Sequence, residues 1–136
     1  AIDEASEVDV ELGYEVPMEG SIVWFDGWVI PKYARNLRAA RYFIDYMCMP
    51  DNAIRNMDAT GYVSVVATQE VFDALEDLCY SEPEVCDLSY FFVGEDGEPI
   101  EGSEAVVADP VLFPDRSVIE RSGVMHDSGD RTDKML

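Results

Sequence analysis

Residues 12–32 read LGYEVPMEGSIVWFDGWVIPK, and this stretch carries the prediction of the fold. Over residues 8–16, apolar and polar side chains alternate strictly, which is typical of a half-buried β-strand. Pro17 ends that pattern, and residues 19–21 form a turn signal. Residues 22–30 are apolar except for one Asp and one Gly, which predicts a second strand.

Beyond this stretch the spacing of apolar residues changes to that of helices. Asn36 is a suitable N-cap for a helix that runs to about Met49. A second short helix is predicted from Asp51 to a break at Gly61, since glycine commonly ends helices. Thr68 is a suitable cap for a third helix. The sequence predicts Val71, Leu75 and Leu78 on one face of it.

The last third of the chain is acidic and irregular. Residues 81–109 predict an excursion built on a hairpin, with its turn at 94–97. Asp115 is a suitable cap for a short helix over 117–120, and a last helix is predicted to start near Asp127. Two strands followed by helices and a hairpin indicate an α/β or α+β fold.

The charge of the chain excludes some classes of partner. The 136 residues carry a formal net charge of -20. Residues 32–55 have a local balance of +3, so the remainder holds -23. A chain this acidic is repelled by phosphate backbones and anionic lipid, so we expect no nucleic-acid or membrane-surface binding. No phosphate loop, nucleophile elbow or metal motif occurs, and we expect neither enzymatic activity nor a cofactor or metal.

Asp26 is the residue that most strongly indicates a ligand. It lies between Trp24, Phe25 and Trp28, and on a strand Trp24 and Asp26 would share one face. A carboxylate beside an aromatic ring suits an ammonium group, which gains charge pairing from one and a cation–π contact from the other. The alternative is a structural carboxylate that accepts a hydrogen bond from a neighbouring backbone amide, with the tryptophans in the core.

The histidine and cysteine residues indicate less. His126 is the only histidine, and a lone histidine is typical of a structural or surface position. Cys48 falls in the first helical pattern and is predicted to lie in the core. Cys79 and Cys86 could close a small loop by a disulfide in an oxidising compartment, and the sequence leaves this open.

The quoted stretch closely resembles the bacterial extracytoplasmic spermidine/putrescine-binding proteins of ABC transporters. That family has a Pro-x-Glu-Gly turn, then Trp-x-Asp, then an Ile-Pro that closes the strand. These elements stand here at Pro17, Glu19-Gly20, Trp24, Asp26 and Ile30-Pro31. Similarity continues through 34–36, 39–47, 50–51 and 61–62, fades over 81–112, and returns at 113–115 and 123–129.

The resemblance implies an α/β protein of the two-lobed periplasmic-binding type II fold, of which this chain is the C-terminal portion. Residues 1–29 and 62–136 would form part of one lobe, 30–61 a helical segment of the other, and 81–112 an acidic insertion. Trp24 and Asp26 would contact the ligand. Tyr62 matches a tyrosine that lines the cleft, and His126 falls at a polar C-terminal ligand position.

The implied function is extracytoplasmic capture of a polyamine, in the periplasm or on the outer face of the cell membrane. The implied partners are the polyamine, the ABC-transporter permease subunits and the N-terminal lobe that this chain lacks. We also expect intermolecular pairing of the chain, because truncation exposes strand edges. The alternatives are an acidic protein-interaction module that binds a basic partner, and a binding protein for a different solute.

Overall fold

The computed structural model describes residues 13–125, which form short strands and helices. In chain order these are β1 (Ile22–Val23), α1 (Leu37–Met47), α2 (Pro50–Thr60), α3 (Gln69–Asp73), a 3₁₀ helix (Leu75–Leu78), β2 (Glu84–Cys86), a second 3₁₀ helix (Ser103–Ala105), β3 (Val106–Ala108), α4 (Arg116–Glu120) and β4 (Gly123–Val124). Strand β1 pairs in parallel with β4, and β2 pairs antiparallel with β3. The described part is therefore a mixed α/β structure.

The two strands predicted at the start of the chain are much shorter in the structure. Of the first, residues 8–12 lie outside the described residues, and 13–16 are not in a strand. The second was predicted over 22–30, and this is wrong beyond Val23. A strand needs a neighbour for its backbone N–H and C=O groups. The neighbour here, β4, is only two residues long.

The predicted start of α1 is confirmed, and the helix ends at Met47, slightly before the predicted end near Met49. Asn36 caps α1, since its side-chain oxygen accepts a hydrogen bond from the Ala39 amide at 3.0 Å. Helix α2 begins at Pro50, one residue before the predicted cap. Proline suits the first helical position, where its missing N–H has no partner to lose. Gly61 ends α2 with a φ of +68°, as predicted.

The buried core lies entirely in the second part of the described chain. Val71, Leu75 and Leu78 are all buried, which confirms their predicted common face, although the helix that carries them changes to 3₁₀ geometry after Asp73. They pack with Met57 of α2 and with Cys86, Leu88, Phe92, Ala108, Leu112 and Phe113. Every buried residue of the described part lies within 53–113, and residues 13–52 contain none.

The acidic segment 81–112 supplies much of this core. Phe92 is fully buried and packs against Phe72 and Phe113, with ring centroids 5.1 and 6.2 Å apart. The predicted hairpin is present, since Val93 and Pro99 form an antiparallel bridge. The acidic residues of the segment are exposed, except that Asp87 is half-buried and Asp109 is buried, so most of its acidity lies on the outer surface. Its assignment as an insertion stays a prediction.

The cysteine predictions have mixed outcomes. Cys48 is exposed, so its predicted core position is wrong. It follows the last turn of α1, a helix without a buried residue. Cys79 and Cys86 are both free thiols here. Burial, with nearby carboxylates such as Asp115, raises the pKa of Cys86, which keeps this thiol protonated and weakly nucleophilic.

The carboxylate of Asp109 ties two distant segments together. The residue is 1% exposed and accepts hydrogen bonds from the backbone amides of Tyr80, Ser81 and Val111 at 2.8–2.9 Å. The Ser81 hydroxyl donates a fourth at 2.6 Å. Burial raises the pKa of Asp109, but the hydrogen bonds outweigh burial and hold the pKa below its ordinary value.

We predict that Asp109→Asn destabilises the protein by about 2 kcal/mol, because an amide nitrogen would face backbone donors in a buried site. Urea denaturation followed by circular dichroism measures the change. Folding lowers the pKa of Asp109 from its ordinary value of 3.8, so the ionised carboxylate adds to the free energy of unfolding at neutral pH. This added stability is lost as the pH falls from 3.8 through the lowered pKa of the folded state. The difference between wild type and variant should therefore shrink in acid.

The matched control for this experiment is Asp77→Asn, which removes the same charge at an exposed position of the first 3₁₀ helix. We expect its urea midpoint to stay close to that of wild type. Equal midpoints for the Asp109 and Asp77 variants would contradict the structural role given to Asp109.

Candidate functional site

Gly20 holds the turn before the candidate ligand residues in place. Its amide donates a hydrogen bond to the Pro17 carbonyl at 2.9 Å, which closes the turn. Its φ is +99°, a conformation that favours glycine. A Cβ at Gly20 would lie 1.9 Å from the carbonyl oxygen of Arg121. The glycine therefore lets the turn approach the chain just before β4.

The pairing of β1 with β4 holds in place the residues that immediately precede Trp24 and Asp26. The Gly123 amide donates to the Ser21 carbonyl, and the Met125 amide donates to the Val23 carbonyl, both at 2.9 Å. The Ser21 amide also donates to the Ser122 hydroxyl at 3.3 Å. The chain is thus anchored on the residue that immediately precedes Trp24.

Trp24 and Asp26 both lie on the surface. Trp24 is 52% exposed, and Asp26 is exposed too. The expectation that they sit on one face of a regular strand is wrong, because the strand ends at Val23. Asp26 therefore avoids the cost of burial that its apolar neighbours suggested. Within residues 13–125 no hydrogen bond or ion pair to its carboxylate is found, so the structural alternative gains no support there.

Tyr62 lies directly after the Gly61 cap of α2 and is 65% exposed. Its amide donates to the Thr60 hydroxyl at 3.3 Å. In the described part of the chain no ring contact or hydrogen bond joins its side chain to Trp24 or Asp26. His126 lies outside the described residues. The structure thus brings Trp24, Asp26 and Tyr62 to the surface without closing these three residues into one pocket.

Two shallow grooves lie on the described surface, and neither includes Trp24, Asp26 or Tyr62. One, of about 290 Å³, lies between the start of α2 and Glu70 of α3, and the other, of about 390 Å³, runs along α1. Their linings are Met49, Pro50, Asp51, Asn52, Arg55 and Glu70 for the first, and Leu37, Arg38, Arg41, Tyr42 and Asp45 for the second. The candidate site is accordingly an open surface.

Sequence reasoning missed two features of this region. One is the close approach of Gly20 to Arg121, whose only sequence signal is the glycine itself. The other is the contact between Trp28 and Phe43, whose ring centroids are 5.2 Å apart at an interplanar angle of 87°. Trp28 was predicted as part of a strand, and its partner lies on the helix that follows.

Comparison with known proteins identifies the class. The family model of the bacterial extracellular solute-binding proteins matches residues 1–76, which include Trp24, Asp26 and Tyr62. This is more than half of the chain, and the chain belongs to that family. Its members bind solutes outside the cytoplasm, and none of the helices over residues 13–125 is long and apolar enough to span a membrane. No solved structure matches the chain.

We predict that Gly20→Ala releases the turn from β4, because the added methyl group collides with the Arg121 carbonyl and the φ is unfavourable for alanine. The amides of Gly123 and Met125, which are bonded to the Ser21 and Val23 carbonyls, should lose protection by at least about tenfold in hydrogen exchange.

Gly27→Ala is the control for this variant, since a Cβ at Gly27 meets no atom within 4 Å. It should leave the protection of the two amides unchanged. Loss of protection to the same degree in both variants, or in neither, would show that the close approach does not anchor the site.

Proposed function

We propose that this protein binds a polyamine such as spermidine or putrescine outside the cytoplasm and presents it to an ABC transporter for uptake. The observation that carries the proposal is the exposed carboxylate of Asp26, which is flanked in the sequence by the exposed aromatic residues Trp24, Phe25 and Trp28. Binding is a capture step without chemical reaction, and it needs no cofactor.

The chemistry of the ligand follows from these side chains. A polyamine carries ammonium groups separated by methylene spacers. Asp26 would accept charge-assisted hydrogen bonds from one ammonium group. Trp24 would cover that group or the adjacent methylenes with its ring face, through cation–π and apolar contact. An anionic solute would be repelled by the carboxylate, so the pair favours cations.

Tyr62 and His126 are proposed as further ligand contacts on the strength of the family resemblance. Tyr62 is exposed and available. The Met125 amide is bonded to the Val23 carbonyl, so the residue before His126 is anchored beside the residue before Trp24. Neutral imidazole could accept a hydrogen bond from an ammonium group, whereas protonated imidazole would repel it. Binding through His126 should therefore weaken in acid.

The exposed apolar residues within 13–52 support the proposal that another surface forms a second wall of this site. Residues 13–52 contain no buried side chain, although Trp28, Tyr33, Leu37 and Phe43 are large and apolar. Exposed apolar surface on this scale is typical of an interface. We propose that an N-terminal lobe covers it and completes the cleft, with 1–29 and 62–136 in one lobe and 30–61 in the other. The permease subunits would be the further partner.

One observation favours an acidic protein-interaction module as a second function. Val85 and Val107 face each other across the β2–β3 ladder and are both exposed. Val85 lies within residues 82–104, a segment with eight acidic residues, and Val107 lies just after it. No Lys or Arg occurs between Arg55 and Arg116. An apolar pair with an acidic surround suits a basic protein partner.

We predict that Asp26→Asn weakens spermidine and putrescine binding at least about tenfold, because a charge-assisted hydrogen bond becomes a neutral one. Isothermal titration calorimetry of the full-length protein that carries these residues measures this. Under this proposal residues 1–136 supply only one wall of the cleft, so the 136-residue chain alone should bind weakly or undetectably.

Asp45→Asn, a loss of the same charge on α1, should bind as wild type does. Wild-type affinity in the Asp26 variant, or no polyamine binding by the full-length protein, would refute the polyamine proposal. Tight binding by residues 1–136 alone would refute the need for a second lobe.

A further inference from the structure

The residues that carry Trp24 and Asp26 lie between a strand pairing and a local turn. On one side, the Val23 carbonyl accepts a hydrogen bond from the Met125 amide. On the other, the Ala34 amide donates to the Pro31 carbonyl at 3.0 Å and closes a turn. The intervening segment, residues 24–30, is in neither a strand nor a helix. Within the described residues no backbone hydrogen bond involves 24–30, so side-chain contacts are what can hold this segment.

Trp28 makes such a contact. Its ring packs edge-to-face on Phe43 of α1, at a centroid distance of 5.2 Å and an angle of 87°. This lies within the range in which aromatic pairs attract each other beyond the burial of their area. Both rings remain about half exposed, at 63% for Trp28 and 48% for Phe43. The pair thus fastens the segment to α1 at the surface, outside the buried core.

We propose that Trp28 is a positioning residue, which holds Trp24 and Asp26 in a defined orientation by fastening their segment to Phe43. The consequence for ligand binding rests on the proposed function, whereas the positioning itself does not. Without this contact, the stretch that no strand, helix or ring contact holds would be residues 24–30. With the contact it is only residues 24–27.

The place of Trp28 in the segment makes it suited to this role. Only Gly27 separates it from Asp26, and a Cβ at Gly27 would meet no atom within 4 Å. The backbone there is free of close neighbours and would otherwise move easily. With Val23 held by β4 and Trp28 held by α1, both ends of the stretch that carries Trp24 and Asp26 are fixed. A preorganised site binds its ligand with a smaller loss of conformational entropy.

The tryptophan content of the chain gives a direct test of positioning. Trp24 and Trp28 are its only two tryptophans. Both Trp28→Phe and Trp28→Ala therefore leave Trp24 as the sole tryptophan, and its time-resolved fluorescence anisotropy reports its local motion. Phenylalanine can keep the edge-to-face contact and alanine cannot. We expect slow depolarisation of Trp24 in the Trp28→Phe variant and an additional fast decay in the Trp28→Ala variant.

A matched pair of second variants tests the partner ring. In the Trp28→Phe background, Phe43→Ala should release Trp24 in the same way. Tyr42→Ala, on the same helix with its ring next to Arg38, should not. The urea midpoint should stay the same in all of these variants, because none of the substituted residues belongs to the buried core. Equal anisotropy decays in the Trp28→Phe and Trp28→Ala chains, or in the two second variants, would overturn the proposal.

The ligand consequence is measured separately on the full-length protein by spermidine titration. Trp28→Ala should weaken binding about two- to tenfold, the worth of an edge-to-face pair, and Trp28→Phe should restore it. A wild-type protein that binds no spermidine would refute the proposed function and leave the anisotropy result to decide the positioning. Normal spermidine affinity in the Trp28→Ala variant would show that the contact does not serve binding.

Discussion

The buried carboxylate of Asp109 is the interaction on which the rest of the described fold depends. It binds the backbone of Tyr80 and Ser81, 29 and 28 residues earlier in the chain. The carboxylate of Asp115 likewise accepts a hydrogen bond from the Asp87 amide at 2.8 Å, and these two residues are 28 positions apart in the chain. Together they close the base of the acidic segment and hold β2 and β3 at the core. Two of the 29 acidic residues thus form the inner frame of this segment, whose other carboxylates are mostly exposed.

The described chain divides into a part that makes its own core and a part that does not. Residues 53–113 hold all of the buried side chains, whereas the family match covers residues 1–76. The segment 24–30, which holds the candidate ligand residues Trp24 and Asp26, therefore lies outside the core. It is attached through β4 on one side and through Phe43 on the other. This arrangement suits a site that is completed by another surface.

Local sequence signals predicted the helices well and the strands poorly. Asn36, Gly61 and Asp115 begin or end helices through contacts with residues next to them in the chain. A few consecutive residues are therefore enough to predict where these helices begin or end. A strand depends on a partner far away in sequence, and the apolar run that predicted residues 22–30 contains no information on the length of β4. The ligand candidates came from residue chemistry and resemblance. The close approach at Gly20 and the Trp28–Phe43 contact were missed because they depend on tertiary geometry.

The pairing of β1 with β4 also orders the steps of folding. Ile22 pairs with Gly123 and Val23 with Val124, so this two-residue ladder closes a loop of about one hundred residues for very few hydrogen bonds. Such a contact is favourable only after the core over residues 53–113 has formed and shortened the flexible loop that remains to be closed. Within the described residues, the segment 24–30 is then set in place after the core, so the surface that Trp24 and Asp26 present exists only on a chain whose core is already folded.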